Sequence, residues 1–501
     1  MARSLTNNFA ASYAVEDTIG VLPTTPLWKL LEPNSINTFG ANITTVERAP
    51  ISKDRQRRKG TVTDLDSAVE YDADWTLDSF EDFIQSFIFS IAQGTVIHAL
   101  HSGADVDDLE AAAAAYTHAA LPAAMLEGSL VYARAFTNAV NNGLFAVAAA
   151  ATTTNTPITA GTQIVETPTQ QKNASLETAG FRFTDLTWTD ATKTLASVLI
   201  ADLTTLGLYP GQFIRVGSGA NDFTNGAIMG RVVSVAAGAI VLDKITNIGT
   251  GTLDGGGDEA ASAVDLLFGR FFRNVSVDDA DYIEQSLQFE GAYDNLQNPT
   301  GTGAEYEYAK GNFANQVTFN MPLADKATIS FAFIGTDTDA PSTTRATGAG
   351  TPQDPVKTGA LNTSADIARL RITDVDEAGL STCFKSMSLT LNNNVSPEKC
   401  LGTLGAAFMN TGNFEVNLEA ELLFTNGDVV DRIRANTTVT MDFGVENDDG
   451  AVWVDIPSMT LGGGARSFPV NESILVSLTG NAFGDATLGT SLGVSLFPYM
   501  P

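Results

Sequence analysis

Three groups of side chains have types and spacings that could do chemistry. His98 and His101 stand three residues apart, His118 follows, and Asp105, Asp107 and Asp108 lie close by, so the histidine pair could share a divalent metal. No convincing third ligand accompanies them. Surface or partly buried histidines are the plainer reading, and neither a metal nor a cofactor is expected. Lys53, Arg55, Arg57, Arg58 and Lys59 place five of the 28 basic residues within seven positions of a chain whose net charge is −30. A nucleic-acid patch would interleave aromatic side chains, and this run has none. Docking on the acidic surface of another copy fits better, because complementary charge sets registry and partner choice; a solvated loop is the bland alternative. The third group is acidic. Glu70, Asp72 and Asp74, and again Glu415, Glu419 and Glu421, stand at alternate positions of two stretches.

Catalytic patterns are missing. The chain has no Gly-x-Ser-x-Gly, no Gly-x-x-x-x-Gly-Lys-Ser/Thr, no His-Glu-x-x-His and no EF-hand loop. Gly217-Ser218-Gly219 lacks the first glycine of a nucleophile elbow, and Gly249-Thr250-Gly251 lacks the third glycine of a dinucleotide loop. The runs Gly255–Gly257 and Gly462–Gly464 read as loops. With 58 acidic residues, carboxylate pairs arise by chance, so no acid/base pair is singled out. The expectation is a protein that is not an enzyme.

The elements that carry the acidic groups occur twice. Val69, Tyr71, Ala73, Trp75 and Leu77 alternate with Glu70, Asp72, Asp74 and Thr76, which predicts a strand with one apolar and one acidic face. Phe80, Phe83, Ile84 and Phe87 then fall on one helical stripe, with Asp78 or Ser79 as the cap. Residues 414–434 repeat the plan: an alternating strand through 414–424, a turn at 425–428, and a short helix bearing Val429, Val430 and Ile433. Farther along, the strand ending Phe333-Ile334-Gly335 has a counterpart in 473–480, in the same order. Doubling of this kind suits a symmetric assembly better than a single pocket.

This gives an organisation. Residues 1–34 read as an irregular N-terminal arm, 35–92 plus 270–335 as a first domain, 95–268 as an insertion, 336–364 as a linker and 366–501 as a second domain. The insertion holds an Ala-rich segment, 105–120, predicted helical, and two similar strand–turn–strand pieces around Phe136-Thr137-Asn138 and Phe223-Thr224-Asn225. At 501 residues, the prior of about 150 residues per domain allows three domains. Gly is abundant, at 44 residues, and charged residues make up only 17%. That mix favours an all-β chain with minor α content. A net charge of −30 repels phosphate at long range. Two cysteines, Cys383 and Cys400, make no disulfide framework, so a reduced compartment is expected. Neither a signal peptide nor a membrane-spanning run is evident.

The stretch Thr44-Thr45-Val46-Glu47-Arg48-Ala49-Pro50-Ile51-Ser52, continuing Asp54-Arg55-Gln56-Arg57-Arg58-Lys59-Gly60-Thr61-Val62-Thr63-Asp64, resembles the N-terminal signature of tail tube proteins of long-tailed, siphovirus-type bacteriophages. Phe333-Ile334-Gly335 and the Phe-Thr-Asn pieces of the insertion are similar to that family too. The resemblance implies two tail-tube-type antiparallel β-sandwich or barrel domains, each with a flanking helix, plus a small outward-facing β-domain. It implies a structural virion protein, assembled in the bacterial host cytoplasm, that forms stacked rings for DNA ejection; with a doubled domain, three chains would make a pseudo-sixfold ring. The expected partners are the chain itself, a tape measure protein in the lumen, a tail terminator and a distal tail protein at the tube ends, and genomic DNA passing without specific binding. Within that picture Lys53, Arg55, Arg57, Arg58 and Lys59 form the inter-ring contact. Glu70, Asp72, Asp74, Glu415, Glu419 and Glu421 line an acidic lumen. The alternatives are another tail, baseplate or fibre component, or a carbohydrate-binding β-protein.

Overall fold

The computed structural model describes residues 5–501, except 52, 54–55, 82, 95–97, 101–108, 122–123, 169–172, 299–300, 347–349, 356–357, 375–382 and 426. The chain is built from antiparallel ladders. One 16-stranded sheet takes its strands from both ends of the chain, and a nine-stranded sheet takes all of its own from between His98 and Leu267.

The large sheet folds over on itself. Its inner layer is a row of eight strand segments. In order these are Ser35–Arg48, Arg58–Asp74, Thr328–Gly335, the second half of Gly301–Pro322, Phe384–Asn392, Glu415–Leu423, Leu475–Ala482 and the second half of Gly450–Ser467. The strands of 22 and 18 residues that begin at Gly301 and Gly450 pass from this row into an outer layer. Bulges at Ala314/Gln316 and Gly463/Arg466 bend them. In the outer layer the first half of 301–322 pairs with Leu287–Asn298, which pairs with Phe9–Val15. The first half of 450–467 pairs with Thr438–Asn447, which pairs with Ile367–Asp374. Two sets of six strands therefore share one neighbour order. The first runs 9–15, 287–298, 301–322, 328–335, 58–74, 35–48; the second runs 367–374, 438–447, 450–467, 475–482, 415–423, 384–392.

The alternation expected in 68–77 is the reason the layers pack. Val69, Tyr71 and Ala73 are buried, and so are Ile329, Phe331 and Phe333 on the neighbouring strand. Phe80, Phe83, Ile84 and Phe87 are all buried against them, with Phe80 and Phe319 ring centroids 4.8 Å apart and Phe87 and Phe333 5.4 Å apart. Each such ring contributes about 1.5–3 kcal/mol by leaving water. The stripe is carried by two single turns, Leu77–Glu81 and Ile84–Ile88. The cap is Thr76, whose Oγ1 accepts from Ser79 N–H while Ser79 Oγ accepts from Thr76 N–H, both at 3.0 Å. The second helix, Asp428–Ala435, has acids in its first turn and arginines in its last, as the helix dipole favours.

Three expectations are corrected. Residues 9–15 of the supposedly irregular arm form a strand, because Ala11, Tyr13 and Ala14 find burial beside 287–298. Gly462–Gly464 lies inside a strand rather than a loop. The Ala-rich segment is a hairpin over its described part: Glu110–Ala112 pairs with Ala115–Thr117, which pairs with Asn155–Pro157. Helix propensity is a weak prior that tertiary packing overrides. Here Tyr116 wins, fully buried among Leu109, Phe136 and Val131, with its hydroxyl donating to Asn141 O at 2.5 Å. Residues 105–108 lie outside the described residues.

Within 98–267 six strands close on themselves in the order 175–189, 194–196, 239–248, 227–236, 213–216, 259–267 and back to 175–189. Closure leaves that barrel no free edge. Phe183, Leu186, Trp188 and Ile214 fill it.

Candidate assembly surfaces

The inner row buries one face and leaves the other polar. On the open face the strand 58–74 presents Asp66, Ala68, Glu70, Asp72 and Asp74, and the strand 415–423 presents Glu415, Asn417, Glu419 and Glu421. Between these two acidic stripes run Ser330, Gln316, Thr318, Asn320, Ser388 and Thr390, joined across strands by Thr318–Thr390 at 3.1 Å and Ser388 to Asn320 at 3.1 Å. All six acidic candidates thus share one face, in two groups.

Two of them, Asp72 and Asp74, have surroundings that favour their charged form. The hydroxyl of Ser330, with Asn37 and Ser35, holds the Asp72 carboxyl below its ordinary range. Partial burial works against the charge of Asp74, but the Lys326 ammonium at 2.6 Å and the Asn34 amide more than offset it and depress its pKa. Glu70 accepts from Thr38 Oγ1 at 3.2 Å.

The row ends in two open edges. Among the described residues, strand 35–48 pairs only with 58–74, and segment 462–467 pairs only with 475–482. Unpaired edges of this length present rows of N–H and C=O groups that template further pairing.

The basic candidates sit at the far end of the first hairpin. Strands 35–48 and 58–74 stay paired out to Arg48 and Arg58, and both faces of this prong are exposed beyond Asp64. Lys53, Arg57, Arg58 and Lys59 are exposed at or near its tip, Arg57 donating to Glu47 at 2.9 Å, and Arg55 lies outside the described residues. Ile43, Val46, Ile51 and Val62 are exposed on the same prong.

The side chain of His98 and the residues Asp105, Asp107 and Asp108 lie outside the described residues. His118 is buried, its Nδ1 2.9 Å from Ala119 O and its Nε2 2.9 Å from Thr156 Oγ1, while His101 lies outside the described residues. Among the described residues no group of three metal-ligating side chains occurs, and no helix is long and apolar enough to cross a membrane.

Sequence reasoning missed the ionic seams that fix the 98–267 unit. Alternate residues of the outer layer split their loyalties: Val452 and Val454 join the main core, whereas Trp453 packs against Phe213 with tilted rings 5.0 Å apart and Asp455 faces Arg231 at 2.8 Å and Lys244 at 2.6 Å. Burial penalises the Asp455 charge, but Lys244 and Arg231 more than compensate and hold its pKa below the usual carboxylate range. On the other side Arg134 bridges Glu81 at 3.2 Å and Glu177 at 3.1 Å. The unit therefore covers the back of the outer layer, away from the acidic face. The signal available in the sequence was a few isolated cations in an acidic chain, and cations of that kind do not announce their partners.

The sequence model of a family described as phage tail tube protein matches residues 6–482. No curated protein matches the chain.

Proposed function

The chain belongs to the phage tail tube protein family, and on that premise we propose that three copies close into a pseudo-sixfold ring, that rings stack into the tube of a siphovirus-type tail, and that the acidic face of the inner row lines the bore. The protein is a structural component of the virion tail that self-associates into a tube.

One observation carries the ring. Strand 301–322 of the first six-strand set pairs with strand 384–392 of the second, Gln316 opposite Asn392 and Thr318 opposite Thr390. This seam joins two like units inside one chain. The two open edges are its unpaired halves: segment 462–467 corresponds to 316–320, and strand 35–48 corresponds to 384–392. Applied between copies, the same pairing continues the row around a closed ring and removes both edges. Matching the registers of 328–335 and 475–482 sets Gly462 of one copy opposite Asn42 of the next.

The other assignments follow from this orientation. The bore carries carboxylates in six stripes, which repel passing DNA and keep it from sticking. The 98–267 unit stands on the outside. The prong, with Lys53, Arg57, Arg58 and Lys59 at or near its tip, reaches the adjacent ring, and Arg55 of the same basic run is assigned to that contact from the sequence. A tape measure protein occupies the bore before ejection, a tail terminator and a distal tail protein close the ends, and assembly takes place in the host cytoplasm.

The test is a cross-link. With Cys383 and Cys400 replaced by Ser, Asn42→Cys and Gly462→Cys together are expected to give, on oxidation, covalent ladders ending at three chains. Rings of the same mass are expected by electron microscopy. Failure to cross-link, or a closed species of six chains, would overturn the reading.

A further inference from the structure

The two sets of six strands differ most where their hairpins turn. In the first set the strands run on into the prong. In the second, the corresponding strands Phe384–Asn392 and Glu415–Leu423 are nine residues each, and the chain between them turns back on the molecule. Ser396–Glu398 and Phe408–Asn410 form a small hairpin of their own. Its root is anchored: Val395 and Met409 are buried with Phe89 and Phe313, and Asn393 Nδ2 donates to Phe87 O and Ala314 O, both at 2.9 Å. Its far side lies along the end of strand 328–335. Ala406 N–H donates to Thr336 O at 3.0 Å, and Gly405 sits so close to that carbonyl that no Cβ would fit.

From this platform Lys399 reaches across to the first set. Its Nζ donates to Asp64 Oδ1 at 2.5 Å and to Asp66 Oδ1 at 2.6 Å. These two carboxylates stand where strand 58–74 leaves the buried part of the sheet, since Leu65 is its first buried apolar residue and the residues before Asp64 are largely exposed. Two like charges two positions apart on one strand face repel each other. Lys399 turns that repulsion into a two-point attachment at the root of the prong.

We propose that the 393–412 segment is a brace that fixes the direction in which the prong leaves its ring, with Lys399 as the positioning residue, and that each ring therefore offers three prongs, not six, to the next. The proposal rests on the reading of the prong as the inter-ring contact and adds to it a partner within the chain. A two-stranded ribbon exposed on both faces has little else to hold its angle. A brace at its root sets where a tip some ten residues away arrives. Stacking then has true threefold symmetry even though the bore is close to sixfold.

The experiment compares Lys399→Glu with the charge-swapped variant carrying Lys399→Glu, Asp64→Lys and Asp66→Lys in the full chain. For Lys399→Glu the expected result is rings of normal mass, faster amide exchange across 58–66 before assembly, and loss of tubes or of a uniform twist between rings. The swap is expected to restore both the protection and the tubes. Tubes of Lys399→Glu with wild-type growth and twist would overturn the proposal, as would a swap that restores nothing. So would six equivalent prong contacts per ring in a tube reconstruction. Reversal of Arg57 and Arg58 to Glu serves as the reference. If that reversal leaves tubes unchanged, the inter-ring reading itself falls; if it blocks stacking while Lys399→Glu does not, only the brace falls.

Discussion

Lys244 and Asp455 show how a single pair can hold two units together. Both side chains are nearly inaccessible, at 3% and 2%. Removing Asp455 takes the nearest carboxylate from the buried Lys244 and a second one from Arg231, which costs about 3–5 kcal/mol. Asp455→Asn is therefore expected to lower unfolding stability at neutral pH by that order, measured by denaturant titration. The pH dependence has a definite sign. The folded pKa of Asp455 lies below its unfolded value of about 3.9, so its contribution is complete above that value and is lost as pH falls through the folded one. The Asp455 contribution to the gap between wild type and Asp455→Asn is expected to narrow as pH falls below about 4. Deep in the other core, Phe87→Ala removes a ring packed against Phe331 and Phe333 and is expected to cost about 3–5 kcal/mol, read in the same titration.

The elements divide into those that hold the fold and those that project from it. The prong belongs to the second group. Arg57 and Arg58 are exposed, and exposed changes usually move stability by less than about 0.5 kcal/mol, so the variant that reverses them to Glu together with Arg55 keeps its core residues. The expected outcome is an unchanged melting temperature with tube formation blocked; tubes of normal appearance by electron microscopy would count against the assignment. The alternation of Val69, Tyr71 and Ala73 with Glu70, Asp72 and Asp74 was legible in the sequence, and so was the apolar stripe of Phe80, Phe83, Ile84 and Phe87, because local periodicity there agrees with the tertiary environment. The Ala-rich segment misled because alanine expresses a local preference that costs little to override, while Tyr116 needs a pocket found only in three dimensions. Gly462–Gly464 looked like a loop for a related reason. Glycines weaken a strand in isolation, and only the pairing with 475–482 identifies them as an edge. The acidic face was legible by alternation, whereas Lys399 and the Lys244 seam were not, since each depends on residues hundreds of positions away.

At the scale of the molecule, the placement of charge follows the layers. Acid lines the open face of the inner row, cations appear in the seams behind the outer layer, and the exposed basic cluster is carried out on the prong. Converting Glu70, Asp72, Asp74, Glu419 and Glu421 to their amides is expected to leave rings and tubes intact and to slow DNA release from assembled particles, timed by dye entry into the genome. Release at the wild-type rate would detach the acidic face from transport. The pairing of 301–322 with 384–392 has a further consequence for how the object grows. A ring built from six separate units must gather all six from solution. A chain that carries one seam already closed presents its two units at an effective concentration no free pair could match. In the proposed three-chain ring, formation is expected to scale with roughly the cube of free-chain concentration rather than its sixth power, so a linked chain would nucleate from sparser subunits than single units could.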